Sequence, residues 1–183
     1  MGAYETLRLE IGQDGIVELV LDRPDVRNAM SVEMGAELCR AVAEISGDSS
    51  ARVVLLRGEG KAFAAGGDLE FIEARLSDTP ERNRRIMRDY YDLLLSLTKL
   101  RVPTIAVLHG AAIGAGLCLA LACDLRFAAP DAKLALNFVR LGLHPGMGAT
   151  WLLPRLIGPA RAAELLLTGR TISRNEACKL GVV

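Results

Sequence analysis

Two glycine-rich segments, Lys61–Leu69 and His109–Leu117, carry the strongest chemical signal in the sequence. Each follows a predicted strand and leads towards a predicted helix. The first N–H groups of a helix have no partner within it and lie at the positive end of its dipole. One N–H from each segment could therefore converge on a single carbonyl oxygen, as in an oxyanion hole. One such loop alone is more simply explained by a tight turn that requires glycine.

Nucleotide binding and metal binding are weaker interpretations of the same sequence. The spacing of Gly110, Gly114 and Gly116 departs from the G-x-G-x-x-G pattern, and no Walker-type lysine follows either loop. The four cysteines are scattered and form neither a C-x-x-C pair nor a Cys/His cluster. We therefore predict no metal site and no disulfide.

The overall charge is balanced, with 22 basic and 22 acidic residues. A dedicated nucleic-acid binder would show a basic excess. The longest apolar stretches are too short to cross a bilayer. The N-terminal Met1–Glu5 segment lacks the basic start and apolar run of a secretory signal. We therefore expect a cytoplasmic protein with no nucleic-acid and no membrane partner.

Strand and helix patterns alternate along the chain. Leu7–Ile11 and Ile16–Leu21 flank a tight turn and predict a hairpin. Short apolar runs predict four further strands: Arg52–Arg57, Val102–Leu108, Asp124–Ala128 and Lys133–Leu136. Helical patterns follow Ser31, the second glycine-rich segment and Ser173, and also cover Pro80–Leu100, Thr150–Ile157 and Pro159–Thr168. Gly58–Gly67 should be a loop. The alternation predicts one α/β domain over residues 1–183, with a largely parallel sheet covered by helices.

Six motifs give the chain a family resemblance. Phe63–Leu69 reads F-A-A-G-G-D-L, and His109–Gly116 reads H-G-A-A-I-G-A-G. They are accompanied by Asp22-Arg-Pro24 with Asn28-Ala29, Ala120–Asp124, Leu141–Gly146 and Ala177–Gly181. This pattern is similar to that of the crotonase (enoyl-CoA hydratase/isomerase) family and spans essentially the whole chain.

The resemblance implies a fold, a substrate class and a chemistry. The fold is a crotonase-like spiral of strand-strand-helix units. The substrate is an acyl-CoA thioester whose enolate is stabilised by two backbone amides, which the motifs assign to Gly67 and Ala115. No cofactor is implied beyond coenzyme A as part of the substrate. The family continues past the position of Val183, so we expect a C-terminal helical part to be absent from the chain.

The resemblance also assigns substrate contacts and an assembly. Val26 and Arg27 match the segment that passes along the CoA moiety, while Ala65 and Leu69 match residues beside the thioester. Family members form trimers, often paired into hexamers. We therefore expect a homotrimer or hexamer.

The sequence departs from the family at its acid and base positions. The two glutamates of the family's hydratases are replaced by Cys118 and Phe138, and Gly146 stands where other branches have an aspartate. His144 is the best-placed titratable residue, although a loop histidine bonded to backbone groups explains it as well. Cys118 at a helix start could be a reactive thiolate, but its apolar neighbours favour a packed thiol.

These observations predict an enzyme that acts on an acyl-CoA thioester through an enolate. An acyl-CoA lyase or isomerase of the enoyl-CoA hydratase type is the first interpretation. A decarboxylase or hydrolase branch is the alternative, because loss of CO2 produces an enolate without a carboxylate base. A non-catalytic acyl-CoA-binding subunit also remains open.

Overall fold

The computed structural model describes residues 4–183, so the first three residues of the N-terminal segment discussed above lie outside it. The described residues form nine strands: β1 (Leu7–Ile11), β2 (Ile16–Leu21), β3 (Val53–Gly58), β4 (Ala62–Ala64), β5 (Thr104–Leu108), β6 (Ala111–Ile113), β7 (Leu125–Ala128), β8 (Lys133–Ala135) and β9 (Thr171–Ser173). They also form seven α-helices: α1 (Val32–Gly47), α2 (Leu69–Glu73), α3 (Pro80–Leu94), α4 (Ala115–Leu121), α5 (Ala149–Ile157), α6 (Pro159–Thr168) and α7 (Arg174–Leu180).

The strands form two sheets. The larger sheet has the order β1-β2-β3-β5-β7, and the smaller one has the order β4-β6-β8-β9. Only the first pair of the larger sheet and the last pair of the smaller sheet are antiparallel. The prediction of a largely parallel α/β arrangement is confirmed.

Successive strands alternate between the two sheets. β3, β5 and β7 lie in the larger sheet, and each is followed at once by a strand of the smaller sheet. A helix then returns the chain to the next unit. This is the predicted spiral of strand-strand-helix units. Because β4 and β6 are parallel neighbours, the loops that leave them emerge at the same edge of the smaller sheet.

The pairing of β4 with β6 contains an irregularity. Ala62 pairs with Ala111 and Ala64 pairs with Ala112, so two steps along β4 match one step along β6. The extra residue is Phe63, which is fully buried. This is the geometry of a β-bulge, which advances one strand by a residue relative to its neighbour.

Three sequence predictions are corrected by the structure. Gly58–Gly67 is not entirely loop, because β4 lies within it, and β6 and β9 are further strands that the sequence did not indicate. Strands of only three residues are too short to show a two-residue period. The helix predicted over Pro80–Leu100 ends at Leu94 and continues as a 3₁₀ turn over Leu95–Lys99, which keeps a near-helical spacing of apolar residues.

Helix α1 buries one apolar face, formed by Met34, Leu38, Ala41, Val42 and Ile45. Ser31 begins α1 as predicted, since its hydroxyl accepts a hydrogen bond from Met34 N at 3.2 Å. Gly35 lets α3 approach closely, because a Cβ at this position would stand 2.9 Å from Leu93 Cβ. Within residues 4–183, no helix is long and apolar enough to cross a membrane.

Candidate active site

A backbone bridge joins the loop after β4 to Met30. Met30 N donates to Gly66 O at 2.8 Å, and Asp68 N donates to Met30 O at 2.9 Å. These bonds engage the groups on either side of Gly67. Among residues 4–183, no group accepts a hydrogen bond from Gly67 N. Asp68 then caps α2 by accepting hydrogen bonds from Glu70 N at 3.1 Å and Phe71 N at 3.4 Å.

The loop after β6 presents a second unpartnered N–H. Gly114 adopts φ 53°, which favours glycine, and its N–H donates to Ala135 O at 2.7 Å. Ala115 is the first residue of α4, and its N–H also has no acceptor in the described chain. Gly116 allows this helix start to press on β4, since a Cβ there would stand 2.5 Å from Ala64 O.

The two loops meet at Gly66. A Cβ on Gly66 would stand 3.1 Å from Ile113 O and 3.9 Å from Ala115 N. Only a residue without a side chain allows the loops to approach so closely. The result is two backbone donors, one from each glycine-rich loop, at the wall of one cavity.

This cavity has a volume of about 310 Å³. Beyond the two loops, its walls are mainly aliphatic and aromatic, contributed by Ile72, Leu76, Met87, Tyr90, Tyr91, Phe138, Leu141 and Leu143. Apolar walls with a few convergent polar groups are typical of a small-molecule site. In such a setting the two N–H groups interact with a negative oxygen more strongly than they would in water.

Most of the predicted site residues meet in the cavity. The structure brings five of them to its lining: Ala65, Gly67, Leu69, Ala115 and His144. The two predicted CoA contacts, Val26 and Arg27, do not line it and lie exposed on the adjoining loop. That loop is joined to the site directly, because Ala65 N donates to Arg27 O at 2.9 Å.

Asn28 fixes the adjoining loop against the first glycine-rich segment. Its side chain is fully buried, and its backbone has φ 57°. The amide nitrogen donates to the carbonyls of Glu59 at 2.9 Å, Ala62 at 2.9 Å and Phe63 at 3.2 Å, while the amide oxygen accepts from Arg23 N at 2.9 Å. Because this buried amide makes all of these hydrogen bonds, it fixes the adjoining loop relative to the first glycine-rich segment.

The structure places no carboxylate at the positions where the family's acid and base residues are expected. Cys118 is fully buried with its Sγ 3.7 Å from Gly146 O, and burial raises the pKa of this thiol. It is therefore a packed neutral thiol, as its apolar neighbours suggested. Phe138 lines the cavity with its ring. His144 lies exposed at the rim, and its side chain makes no hydrogen bond within residues 4–183.

Two tyrosines of α3 also line the cavity, and reasoning from sequence missed both of them. The Tyr90 hydroxyl donates a hydrogen bond to Met30 O at 2.6 Å. It therefore supports the bridge that orients Gly67. The Tyr91 ring lies against the backbone of Gly146. The sequence signal that could have revealed them is the pair of adjacent tyrosines in a helix whose apolar face is packed.

Across residues 4–183, no group of three or more His, Cys, Asp or Glu side chains could hold a metal ion.

Comparison with known proteins places this geometry in a family. The family model described as enoyl-CoA hydratase/isomerase matches residues 12–183. The chain is 40% identical over 182 residues to the probable enoyl-CoA hydratase EchA14 of Mycobacterium tuberculosis, covering all of this chain and 70% of that protein. It is 38% identical over 174 residues to the 1,2-epoxyphenylacetyl-CoA isomerase of Escherichia coli K12, covering 93% of this chain and 66% of the relative.

Solved structures agree with the sequence comparison. A crystal structure of an enoyl-CoA hydratase subunit from Geobacillus kaustophilus superposes with a TM-score of 0.89 at 37% identity, over 98% of this chain and 68% of that one. An enoyl-CoA hydratase from Bacillus anthracis superposes with a TM-score of 0.88 at 37% identity, over 98% and 69%. The fold is that of the crotonases. The chain belongs to the enoyl-CoA hydratase/isomerase family.

Proposed function

We propose that this protein binds an acyl-CoA thioester and stabilises its enolate through the N–H groups of Gly67 and Ala115. One observation carries the proposal: two backbone donors without acceptors, one from each glycine-rich loop, line the same apolar cavity. An enolate oxygen bears more negative charge than the thioester carbonyl from which it forms. Fixed donors in an apolar site therefore stabilise the enolate more than the ground state.

The acyl group would occupy the cavity, and the CoA moiety would leave across the exposed loop. Ala65 and Leu69 lie at the entrance beside the thioester position, and Leu69 is 62% exposed. Val26 and Arg27 are exposed beyond it, joined to Ala65 by the backbone bond described above. We propose that Arg27 attracts the CoA phosphates and that Val26 contacts the apolar part of the CoA arm.

We propose an enzyme of the lyase or isomerase type within the family, with weak hydratase activity. Hydration needs a group that removes a proton from water, and no carboxylate lines the cavity among the described residues. His144 at the rim is the titratable residue that we propose to exchange protons between the cavity and solvent. The same lack of a carboxylate favours a decarboxylase or hydrolase as the second candidate, since loss of CO2 produces an enolate without a base.

We further propose a cytoplasmic protein that assembles as a homotrimer. Trp151 is 61% exposed and Leu167 is 77% exposed, which leaves apolar surface on α5 and α6. Apolar surface of this kind often marks an interface between chains.

The ionisation of bound acetoacetyl-CoA tests the proposed function without assuming a reaction branch. This β-keto thioester forms an enolate whose near-ultraviolet absorbance differs from that of the neutral form. The protein should lower the pH at which the thioester ionises, because it binds the enolate more tightly. Turnover on a panel of enoyl-, malonyl- and β-keto-thioesters would then separate the reaction branches. An ionisation curve identical with and without protein, at saturating binding, would refute the oxyanion site.

A further inference from the structure

One titratable side chain of the cavity lining, that of Tyr91, is partly buried and makes no hydrogen bond to any of the described residues. The lining residues that can lose or gain a proton are Arg75, Tyr90, Tyr91 and His144. The Tyr90 hydroxyl is already bonded to Met30 O. An arginine does not release its proton in a protein, and His144 lies at the exposed rim. The Tyr91 hydroxyl makes no hydrogen bond within residues 4–183.

The position of Tyr91 is fixed by close contact with Gly146. A Cβ on Gly146 would overlap the Tyr91 hydroxyl oxygen and stand 2.8 Å from the ring carbon that bears it. The phenol therefore occupies the space that a side chain at position 146 would fill. The missing side chain at Gly146 leaves room for the Tyr91 ring. The Tyr91 hydroxyl therefore puts a polar group beside position 146, where the glycine itself has no side chain.

This place adjoins the proposed oxyanion site. Cys118 packs against Gly146 O and lies one turn of α4 beyond Ala115, whose N–H is one of the two donors. Residues three apart on a helix are neighbours on one face. The Tyr91 hydroxyl thus lies beside the first turn of the helix that holds the thioester oxygen. The titratable groups around it are Cys118 on α4, Tyr90 on α3 and, nearer the rim, Arg75 and His144.

We infer that Tyr91 is the acid that delivers a proton to the α-carbon of the enolate, a step that rests on the proposed function. The phenol O–H bond breaks, and the enolate C=C electron pair forms the new C–H bond. The carbonyl of the thioester is restored, and Tyr91 is left as a phenolate that takes a proton from water. An enolate carbon is a stronger base than a phenolate, so the transfer is favourable. In the reverse direction the phenolate removes the α-proton.

The protonation state of the resting residue agrees with this role. Burial, with a smaller contribution from Cys118, raises the pKa of Tyr91 above that of a free phenol. The side chain is therefore a neutral donor near neutral pH and becomes a base only during turnover or at alkaline pH. Because the hydroxyl has no hydrogen-bond partner among residues 4–183, its removal leaves no buried group of that part of the chain unsatisfied. We therefore expect Tyr91→Phe to fold.

Exchange of the α-protons of butanoyl-CoA in D2O measures this step. Mass spectrometry would follow deuterium at C2 in the wild type, Tyr91→Phe, Ala115→Pro and the control Tyr4→Phe, whose hydroxyl bonds to Glu44 away from the cavity. We expect Tyr91→Phe to slow exchange by about 10²–10⁴-fold with unchanged binding of butanoyl-CoA. Tyr4→Phe should exchange as the wild type does.

A pH profile distinguishes an acid from a packing residue. Exchange should rise with pH as the phenolate forms, and the rise should disappear in Tyr91→Phe. Site-specific 3-fluorotyrosine at position 91 should move the rise to lower pH by the difference between the pKa values of the two phenols. A profile that 3-fluorotyrosine leaves unmoved would overturn the inference.

The remaining outcomes separate this inference from the proposed function. Exchange lost in Ala115→Pro but retained in Tyr91→Phe would overturn the role of Tyr91 and leave the oxyanion site intact. Wild-type protein that ionises acetoacetyl-CoA but exchanges no α-proton would do the same. Failure of both ionisation and exchange in the wild type would overturn the proposed function and this inference with it.

Discussion

Replacement of Ala115 by proline is the sharpest test of the oxyanion site. Ala115 is the first residue of α4, where proline is well tolerated because its missing N–H has no partner within the helix. The preceding Gly114 has no Cβ to collide with the proline ring. Since Ala115 N has no acceptor in the described chain, the substitution removes the proposed donor without breaking a hydrogen bond of the fold.

The size of the effect follows from the loss of one of two donors. Removal of a single oxyanion-hole donor costs about 2.7–4 kcal/mol of stabilisation of the charged state. One pKa unit corresponds to about 1.36 kcal/mol. The apparent pKa of bound acetoacetyl-CoA should therefore rise by about 2–3 units in Ala115→Pro relative to the wild type. Binding of the neutral thioester, measured well below that pKa, should change much less.

The assay is a spectrophotometric pH titration of acetoacetyl-CoA with protein in excess. Val32→Pro is the matched control, because Val32 is the first residue of α1, is 37% exposed and lies outside the cavity lining. Thermal unfolding of both variants would check the fold. A bound pKa in Ala115→Pro that stays within a few tenths of a unit of the wild-type value would refute the reasoning.

Three further predictions concern activity, stability and assembly. Crotonyl-CoA hydration, followed by loss of enoyl absorbance, should be slow or absent because Cys118 and Phe138 cannot act as carboxylates; turnover typical of a good hydratase would contradict this. Glu37 is buried, and burial alone would raise its pKa. Hydrogen bonds from the Thr6 hydroxyl and from backbone N–H groups outweigh that effect and lower the pKa of Glu37. Its stabilising effect is thus complete above its unfolded pKa of about 4.3 and lost as pH falls through the lower folded value. Urea unfolding should show Glu37→Gln less stable by about 1–3 kcal/mol at pH 7, with the difference shrinking towards pH 3; an undiminished difference at pH 3 would oppose this account. Light scattering should give the mass of a trimer, and a monodisperse monomer at micromolar concentration would contradict the assembly inferred from exposed Trp151.

The elements that the sequence predicted well are those long enough to show a period. The hairpin of β1 and β2 and the helix α6 have the predicted bounds. In each case at least five residues repeat one pattern between clear turn residues. The strands β4, β6 and β9 were missed because three residues give too little pattern to separate a strand from a loop, although the equally short β8 was predicted within Lys133–Leu136. Their identity depends on pairing with distant strands, which no local pattern records.

The residues of the site likewise fall into those with a local sequence pattern and those placed only by tertiary contacts. The resemblance of the two glycine-rich motifs to those of the family assigned the proposed donors Gly67 and Ala115, and the run of small residues at each loop-to-helix junction made those motifs recognisable. Tyr91 has no such local pattern, because its position depends on a contact between α3 and Gly146, two segments far apart in the chain. A phenol on an apolar helical face is indistinguishable in sequence from a core residue. Only the absence of a side chain at Gly146 gives it a place in the cavity.

The bulge at Phe63 makes the site sensitive to chain length rather than to side-chain chemistry. The extra residue sets how far the loop after β4 extends relative to the loop after β6. Deleting one residue there would shift Gly67 by about 3.3 Å, the rise of one residue in a strand, which exceeds the tolerance of a hydrogen bond. An insertion at the exposed Gln13-Asp14 turn would move neither donor. In this fold, therefore, a single-residue insertion or deletion between β4 and α2 is a more severe lesion than most substitutions in the same segment.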